Sequence, residues 1–106
     1  LDFWGSWCGP CQEEMPKLRA LYEKYKARNF ALIGIANDKM EPLESYIKEN
    51  GITWPQILQD SDHHILRLFN IQYYPSTFLI DPKGEIVAKN ANADELEAKL
   101  RQALSR

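Results

Sequence analysis

The run Phe30-Ala31-Leu32-Ile33-Gly34-Ile35-Ala36 is apolar throughout and has the length of one β-strand. A strand with no polar alternation is buried on both faces, as a parallel strand is when helices cover its sheet above and below. Leu1-Asp2-Phe3-Trp4 reads as the tail of a second buried strand. Between the two, Cys11 to about Asn29 is helical in pattern: Met15, Leu18, Leu21, Tyr22 and Tyr25 recur at three- and four-residue spacing, with charged residues on the other face. Pro16 falls inside this helix and should kink it by removing one backbone hydrogen bond. Strand, helix and strand in that order require a parallel pair joined by a right-handed crossover.

The remainder extends the same plan. Asp38 and Glu41 have the spacing of a capping box for a helix ending at Asn50-Gly51. Trp54 to Leu58 is a short extended piece, with Trp54-Pro55 plugging the edge of the core. Ser61 or Asp62 opens a short helix carrying Ile65, Leu68 and Phe69, and the adjacent His63 and His64 sit at its solvated start. Ser76 to Ile80 is a strand. Asp81-Pro82-Lys83-Gly84 is a turn, with Asp bonding its own backbone and Pro presetting φ. Glu85 to Lys89 returns antiparallel. Asn92 and Glu95 cap a last helix whose buried stripe is Leu96, Leu100, Ala103 and Leu104. The fold class is therefore α/β, a three-layer α/β/α sandwich on a mixed central sheet.

At 106 residues there is room for one domain, spanning 1–106. The chain opens in mid-strand without a Met, so the first strand is expected to be truncated, and any leader or anchor would lie upstream. A formal net charge of −2, with no single-sign run, excludes a polybasic nucleic-acid or membrane-surface protein. No apolar stretch approaches the roughly 18 residues of a bilayer span. Two cysteines exclude a disulfide-dense scaffold.

Those two cysteines carry the chemistry. Trp7-Cys8-Gly9-Pro10-Cys11 follows a strand and opens a helix, and C-x-x-C in a βαβ setting is a redox signature. Residues three apart in a helical turn are neighbours, so the sulfurs can reach bonding distance. Cys8 lies where unpaired backbone N–H groups and the helix dipole favour a thiolate, and Cys11 lies a turn deeper. Cys8 is then the attacking, accessible sulfur and Cys11 the resolving one. A purely structural disulfide across four residues would stabilise by only roughly 2 kcal/mol. A zinc site needs two more ligands, and neighbouring His63 and His64 do not have ligand-pair spacing. No metal is expected.

The segment Asp2-Phe3-Trp4-Gly5-Ser6-Trp7-Cys8-Gly9-Pro10-Cys11 resembles the active-site segment of thioredoxin. Pro16 matches the family's helix proline, and Tyr74-Pro75-Ser76-Thr77-Phe78-Leu79-Ile80 resembles its cis-proline segment. Cys11-Gln12-Glu13-Glu14-Met15-Pro16-Lys17-Leu18 and Phe78-Leu79-Ile80-Asp81-Pro82-Lys83-Gly84 are closer still to the extracytoplasmic bacterial thioredoxins of the TlpA and ResA type. The resemblance covers essentially the whole chain. It implies a thioredoxin-like fold and a protein thiol–disulfide oxidoreductase with no cofactor beyond the redox-active Cys8–Cys11 disulfide.

Residue by residue, the resemblance makes Asp2 the buried carboxylate beneath the disulfide, a thioredoxin feature that many TlpA-type relatives lack. Burial would raise its pKa and suit it to accept the Cys11 proton. Pro75 should follow a cis bond, leaving the Tyr74 backbone free to pair with substrate. Trp7, Gly9, Pro10, Tyr74 and Pro75 form the expected substrate-binding surface, with Tyr73 extending it, while Trp4 is partly core. Glu13 and Glu14 belong to a solvated face. The implied partners are protein disulfide substrates and an upstream thiol reductant, with no nucleic acid, no membrane contact within this segment and a monomeric chain. The implied compartment is the bacterial periplasm or another extracytoplasmic space, with the cytoplasm as alternative. Two other functions fit less well. A peroxiredoxin-like peroxidase would set its cysteine in a Pro-x-x-x-Thr-x-x-Cys context that is absent here. A non-catalytic thioredoxin-like binding module would not need both cysteines.

Overall fold

Alternation within β1 (Asp2–Trp4) divides the core in two. Phe3 points to one face of the sheet, and Asp2 and Trp4 to the other. The computed structural model describes residues 1–59 and 64–105. In chain order the further elements are α1 (Gly9–Tyr25), β2 (Gly34–Ala36), α2 (Met40–Glu49), β3 (Gln56–Leu58), α3 (His64–Leu68), β4 (Ser76–Ile80), β5 (Ile86–Lys89) and α4 (Ala93–Leu104). The five strands form one sheet in the order β3-β2-β1-β4-β5. β1, β2 and β3 run parallel, and β4 and β5 are antiparallel additions.

The Trp4 face is packed by Cys11, Met15, Leu18 and Tyr25 of α1, Leu43 of α2, and Leu96 and Leu100 of α4. On the other face Phe3, Ile35 and Phe78 meet Ile65 and Leu66 of α3 and the following Phe69. Phe3 and Phe78 stand edge to face, 5.7 Å between centroids. Helices thus cover both faces of a mixed sheet, the thioredoxin-like three-layer arrangement that the sequence implies.

Several local expectations are met. Asn92 caps α4, its side chain accepting the Glu95 N–H at 2.9 Å and donating to the Glu95 carboxylate at 2.7 Å. The β4–β5 turn closes through Asp81, whose carboxylate accepts from the N–H groups of Lys83 and Glu85. Its last residue is Gly84 at φ +84°, where a side chain would be strained. α1 runs through Pro16 and buries Met15, Leu18, Leu21 and Tyr25 as the spacing requires.

Four expectations are corrected. The strand expected over Phe30–Ala36 is paired only at Gly34–Ala36, because the ladder with β1 begins at Asp2 and that with β3 at Gln56. Asp38 and Glu41 form no capping box. α2 begins from Lys39 without a side-chain cap, and the Asp38 carboxylate reaches back to the Ser6 N–H instead. Leu68 is exposed, and Leu66 takes the inward position in α3. Trp4 is wholly buried rather than partly so. The expected opening of the short helix at Ser61 or Asp62, and His63, lie outside the described residues. His64 is exposed at the start of α3. Among the described residues no helix is long and apolar enough to cross a membrane.

Candidate active site

β1 ends at Trp4, and Gly5, Ser6 and Trp7 carry the chain to Cys8, which is the N-cap of α1. Gly5 is pressed by the Trp7 indole, and a Cβ there would collide with the ring. Cys8 and Cys11 are joined as a disulfide, with Cα atoms 5.2 Å apart. Cys8 Sγ also accepts the Cys11 N–H at 3.2 Å. That donor is one of the backbone groups left unpaired at a helix start, so the sulfur at the cap receives the field expected there. Both cysteines are buried, Cys8 at 4% and Cys11 at 1% exposure. The open accessibility expected of Cys8 is therefore reduced to a narrow edge, with the exposed backbone of Gly9 and Pro10 beside it.

The surroundings of the pair are largely aromatic. Trp7 is 58% exposed, and its ring meets that of Tyr74 edge to face at 5.4 Å. The Tyr74–Pro75 bond is cis. Tyr73, beside it, is also exposed, and its hydroxyl accepts from the Asn90 side chain. Trp7, Tyr74 and Pro75 thus come together although some 67 residues separate the first two in sequence.

One residue that the sequence does not advertise ties this surface together. The Asn37 backbone carbonyl accepts the Trp7 indole N–H at 2.6 Å, and its side-chain amide donates to the Tyr74 hydroxyl at 3.2 Å. Asp38, next to it, accepts the Ser6 N–H at 2.7 Å. The Asn37-Asp38 segment after β2 therefore holds both the cysteine loop and the proline loop.

Asp2 lies on the α1-covered face of β1 at 2% exposure, and its Oδ1 has no hydrogen-bond partner among the described residues. Burial raises its pKa to about 7; the Leu1 amino group opposes this and Glu14 adds to it. Glu14 is half-buried, not simply part of a solvated face. A carboxyl balanced between its two forms near neutral pH can both take and release a proton. A cleft of about 640 Å³ touches Asp2 along Leu32, Phe78 and Leu100 but is lined by neither cysteine. Among the described residues no group of three or more His, Cys, Asp or Glu side chains is placed to hold a metal.

The model of the AhpC/TSA family matches residues 1–89. The chain belongs to the AhpC/TSA family. Within it, this is a thioredoxin-like protein of the TlpA and ResA type. It is 34% identical over 90 residues to the thiol-disulfide oxidoreductase ResA of Bacillus cereus, covering 84% of this chain and 51% of that protein. Against ResA of Bacillus subtilis the figures are 31% over 88 residues, 82% and 49%. The chain thus spans about half the length of the curated relatives it matches. Among solved structures it resembles the thioredoxin domain of a thiol-disulfide oxidoreductase from Bacteroides vulgatus, at TM-score 0.88 and 32% identity, over 95% of this chain and 74% of that one. A thiol:disulfide interchange protein DsbE from Chlorobium tepidum superposes at TM-score 0.87 with 28% identity, over 97% and 77% of the two chains.

Proposed function

We propose that this chain is a protein thiol–disulfide oxidoreductase working as a reductant through Cys8 and Cys11. The observation that carries the reading is the bonded pair in the first turn of α1, set beside the Trp7–Tyr74–Pro75 surface. In the reduced protein, the Cys8 thiolate attacks one sulfur of a substrate disulfide. A Cys8–substrate bond forms, and the other substrate sulfur leaves as a thiolate. Cys11 gives its proton to the Asp2 carboxylate, and the resulting thiolate attacks Cys8 Sγ. The Cys8–Cys11 bond forms, and the second substrate sulfur leaves and is protonated. Two electrons pass from the dithiol to the substrate, so the disulfide itself carries them and no cofactor takes part. An upstream thiol reductant must then restore the pair.

Trp7, Gly9, Pro10, Tyr74 and Pro75 form the docking surface for an extended segment of a protein substrate. The exposed Trp7 ring and the half-buried Tyr74 ring supply apolar contact, and the Tyr74 backbone supplies strand-like hydrogen bonds. The chain acts as a single domain and a monomer. Kinship with ResA and the DsbE-named protein supports an extracytoplasmic bacterial setting. The test is reduction of a disulfide-bonded protein such as insulin by the pre-reduced chain, followed by turbidity. Cys8→Ser should abolish it, and Cys11→Ser should accumulate a mixed disulfide with the substrate. Stoichiometric consumption of hydrogen peroxide without insulin reduction would replace this reading with the peroxidase one.

A further inference from the structure

Asp2, Gly34 and Gln56 lie in one row across three adjacent strands: Asp2 pairs with Gly34, and Gly34 pairs with Gln56. Trp4 shares the face of Asp2, two residues along β1. Its indole Nε1 donates to Gln56 Oε1 at 2.8 Å, so Gln56 occupies that face too. The middle place in the row is the buried Gly34, and a Cβ there would collide with the Gln56 side-chain amide. Strands stand roughly 4.8 Å apart, which puts Gln56 about 10 Å from Asp2 by backbone. Folded over the bare backbone of Gly34, its amide has crossed much of that gap.

The orientation of the amide follows from its anchor. An indole N–H is only a donor, so the atom it meets is the oxygen, and the nitrogen is the free end. Gln56 Nε2 is buried with no partner among the described residues, and so is Asp2 Oδ1. A donor and an acceptor are thus orphaned in one row of one buried sheet face. Neither Leu1 nor Glu14, the charged groups that act on Asp2, satisfies that oxygen. The other ionisable side chains packed in this layer are Tyr22 and Tyr25 of α1 and Tyr46 of α2, whose ring meets that of Trp4 at a tilt, 5.5 Å between centroids.

We propose that Gln56 is the positioning residue for the Asp2 carboxyl: its Nε2–H donates to the ionised carboxylate through one bridging water, and thereby sets how readily Asp2 accepts the Cys11 proton. The proposal deepens the reading of Asp2 as the base and rests on it. The protonated carboxyl does not need the bond, and the ionised one does. Trp4 holds the amide so that its nitrogen, not its oxygen, faces the carboxylate. Gly34 is required because a side chain would bar the amide from crossing β2.

The test is a titration of the Asp2 side-chain carboxyl by ¹³C NMR in the oxidised protein, comparing the parent with Gln56→Met and Gln56→Leu. Two variants guard against one that does not fold. Loss of the donor should raise the Asp2 midpoint by about one unit, a tenfold change in the ratio of ionised to protonated carboxyl. The pH profile of the Cys11 attack on a trapped mixed disulfide should move up with it. An unchanged midpoint in a folded variant, even one that melts earlier, reduces Gln56 to a packing residue and overturns the proposal. The titration requires no turnover, so it can fail while insulin reduction succeeds, and the reverse.

Discussion

Asp2 is held in the core at the expense of its ionised form, and the direction of that effect on stability can be worked out. Its pKa rises from an ordinary 3.8 to about 7 on folding, chiefly through burial. Between those values the folded chain binds the proton more tightly than the unfolded one. The associated stability is complete below about pH 4 and is lost as pH rises through about 7. Asp2→Asn removes the titration. It should match the parent in melting temperature at pH 4 and exceed it by several degrees at pH 8, a difference on the order of a few kcal/mol. Thermal unfolding across pH checks this, and a gap that does not change with pH would contradict it. The same variant should slow the Cys11 attack more than the first attack by Cys8, because only the second step needs the base. At the cysteines, brief iodoacetamide treatment of the reduced protein should label Cys8 ahead of Cys11. The helix start favours the Cys8 thiolate, and Cys11 is the more buried of the two. Preferential label on Cys11, read by mass spectrometry, would reverse the roles.

At the scale of elements, the segment after β2 behaves as a clamp. Asp38→Ala leaves the Ser6 N–H without its acceptor and should cost about 1–2 kcal/mol. Because Ser6 precedes the cysteines, insulin reduction should fall with it. Asn92→Ala, at the α4 cap, should cost about 1 kcal/mol with reduction unchanged, provided the protein is folded at the assay temperature. Equal loss of activity in both would show that the clamp acts through stability alone. The contrast also explains what was legible beforehand. The Asn92 cap, the Asp81 turn and the α1 stripe are decided within a few residues, and each is readable from spacing. Asp38 satisfies the same local template as Asn92, yet its carboxylate accepts from the neighbouring Lys39 N–H and from Ser6, 32 positions away, and no local pattern carries the second bond. Leu68 and Leu66 are equally apolar, and which one faces inward depends on where α3 lies against Phe3. The cysteine pair was legible from its spacing at the start of a helix, and Asp2 and Pro75 because a family resemblance names them. Asn37 and Gln56 were not, since each acts only through partners that folding brings alongside. The sole trace of Gln56 in the sequence was a glycine in the middle of an otherwise bulky apolar strand.

The direction of electron flow belongs to the whole molecule, because it depends on every charge that reaches Cys8. Whatever stabilises the thiolate stabilises the reduced form and makes the disulfide a stronger oxidant. Here the residues between the cysteines are Gly9 and Pro10, which add neither a side-chain donor nor a positive charge. Among the described residues, the donor to Cys8 Sγ is the backbone N–H of Cys11. The first charges that α1 carries after the cysteines are Glu13 and Glu14, with Lys17 and Arg19 a turn further on, and Glu14 is close enough to the interior to act on Asp2. A carboxylate nearby disfavours a thiolate. The chain as a whole is also acidic, at a formal net charge of −2. These contributions leave the helix start as the main support of the thiolate, and the disulfide should be correspondingly hard to reduce. Its potential should lie below about −200 mV, on the reducing side of the isomerase range. Equilibration in glutathione buffers, followed by the fluorescence of Trp4 and Trp7, gives the value. A result near −120 mV would make the protein an oxidant of its partners, and the reductant reading would be wrong in direction. Glu14→Gln provides the matching internal check: removing that charge should raise the potential, whereas a fall would mean that Cys8 draws its stabilisation from elsewhere in the fold.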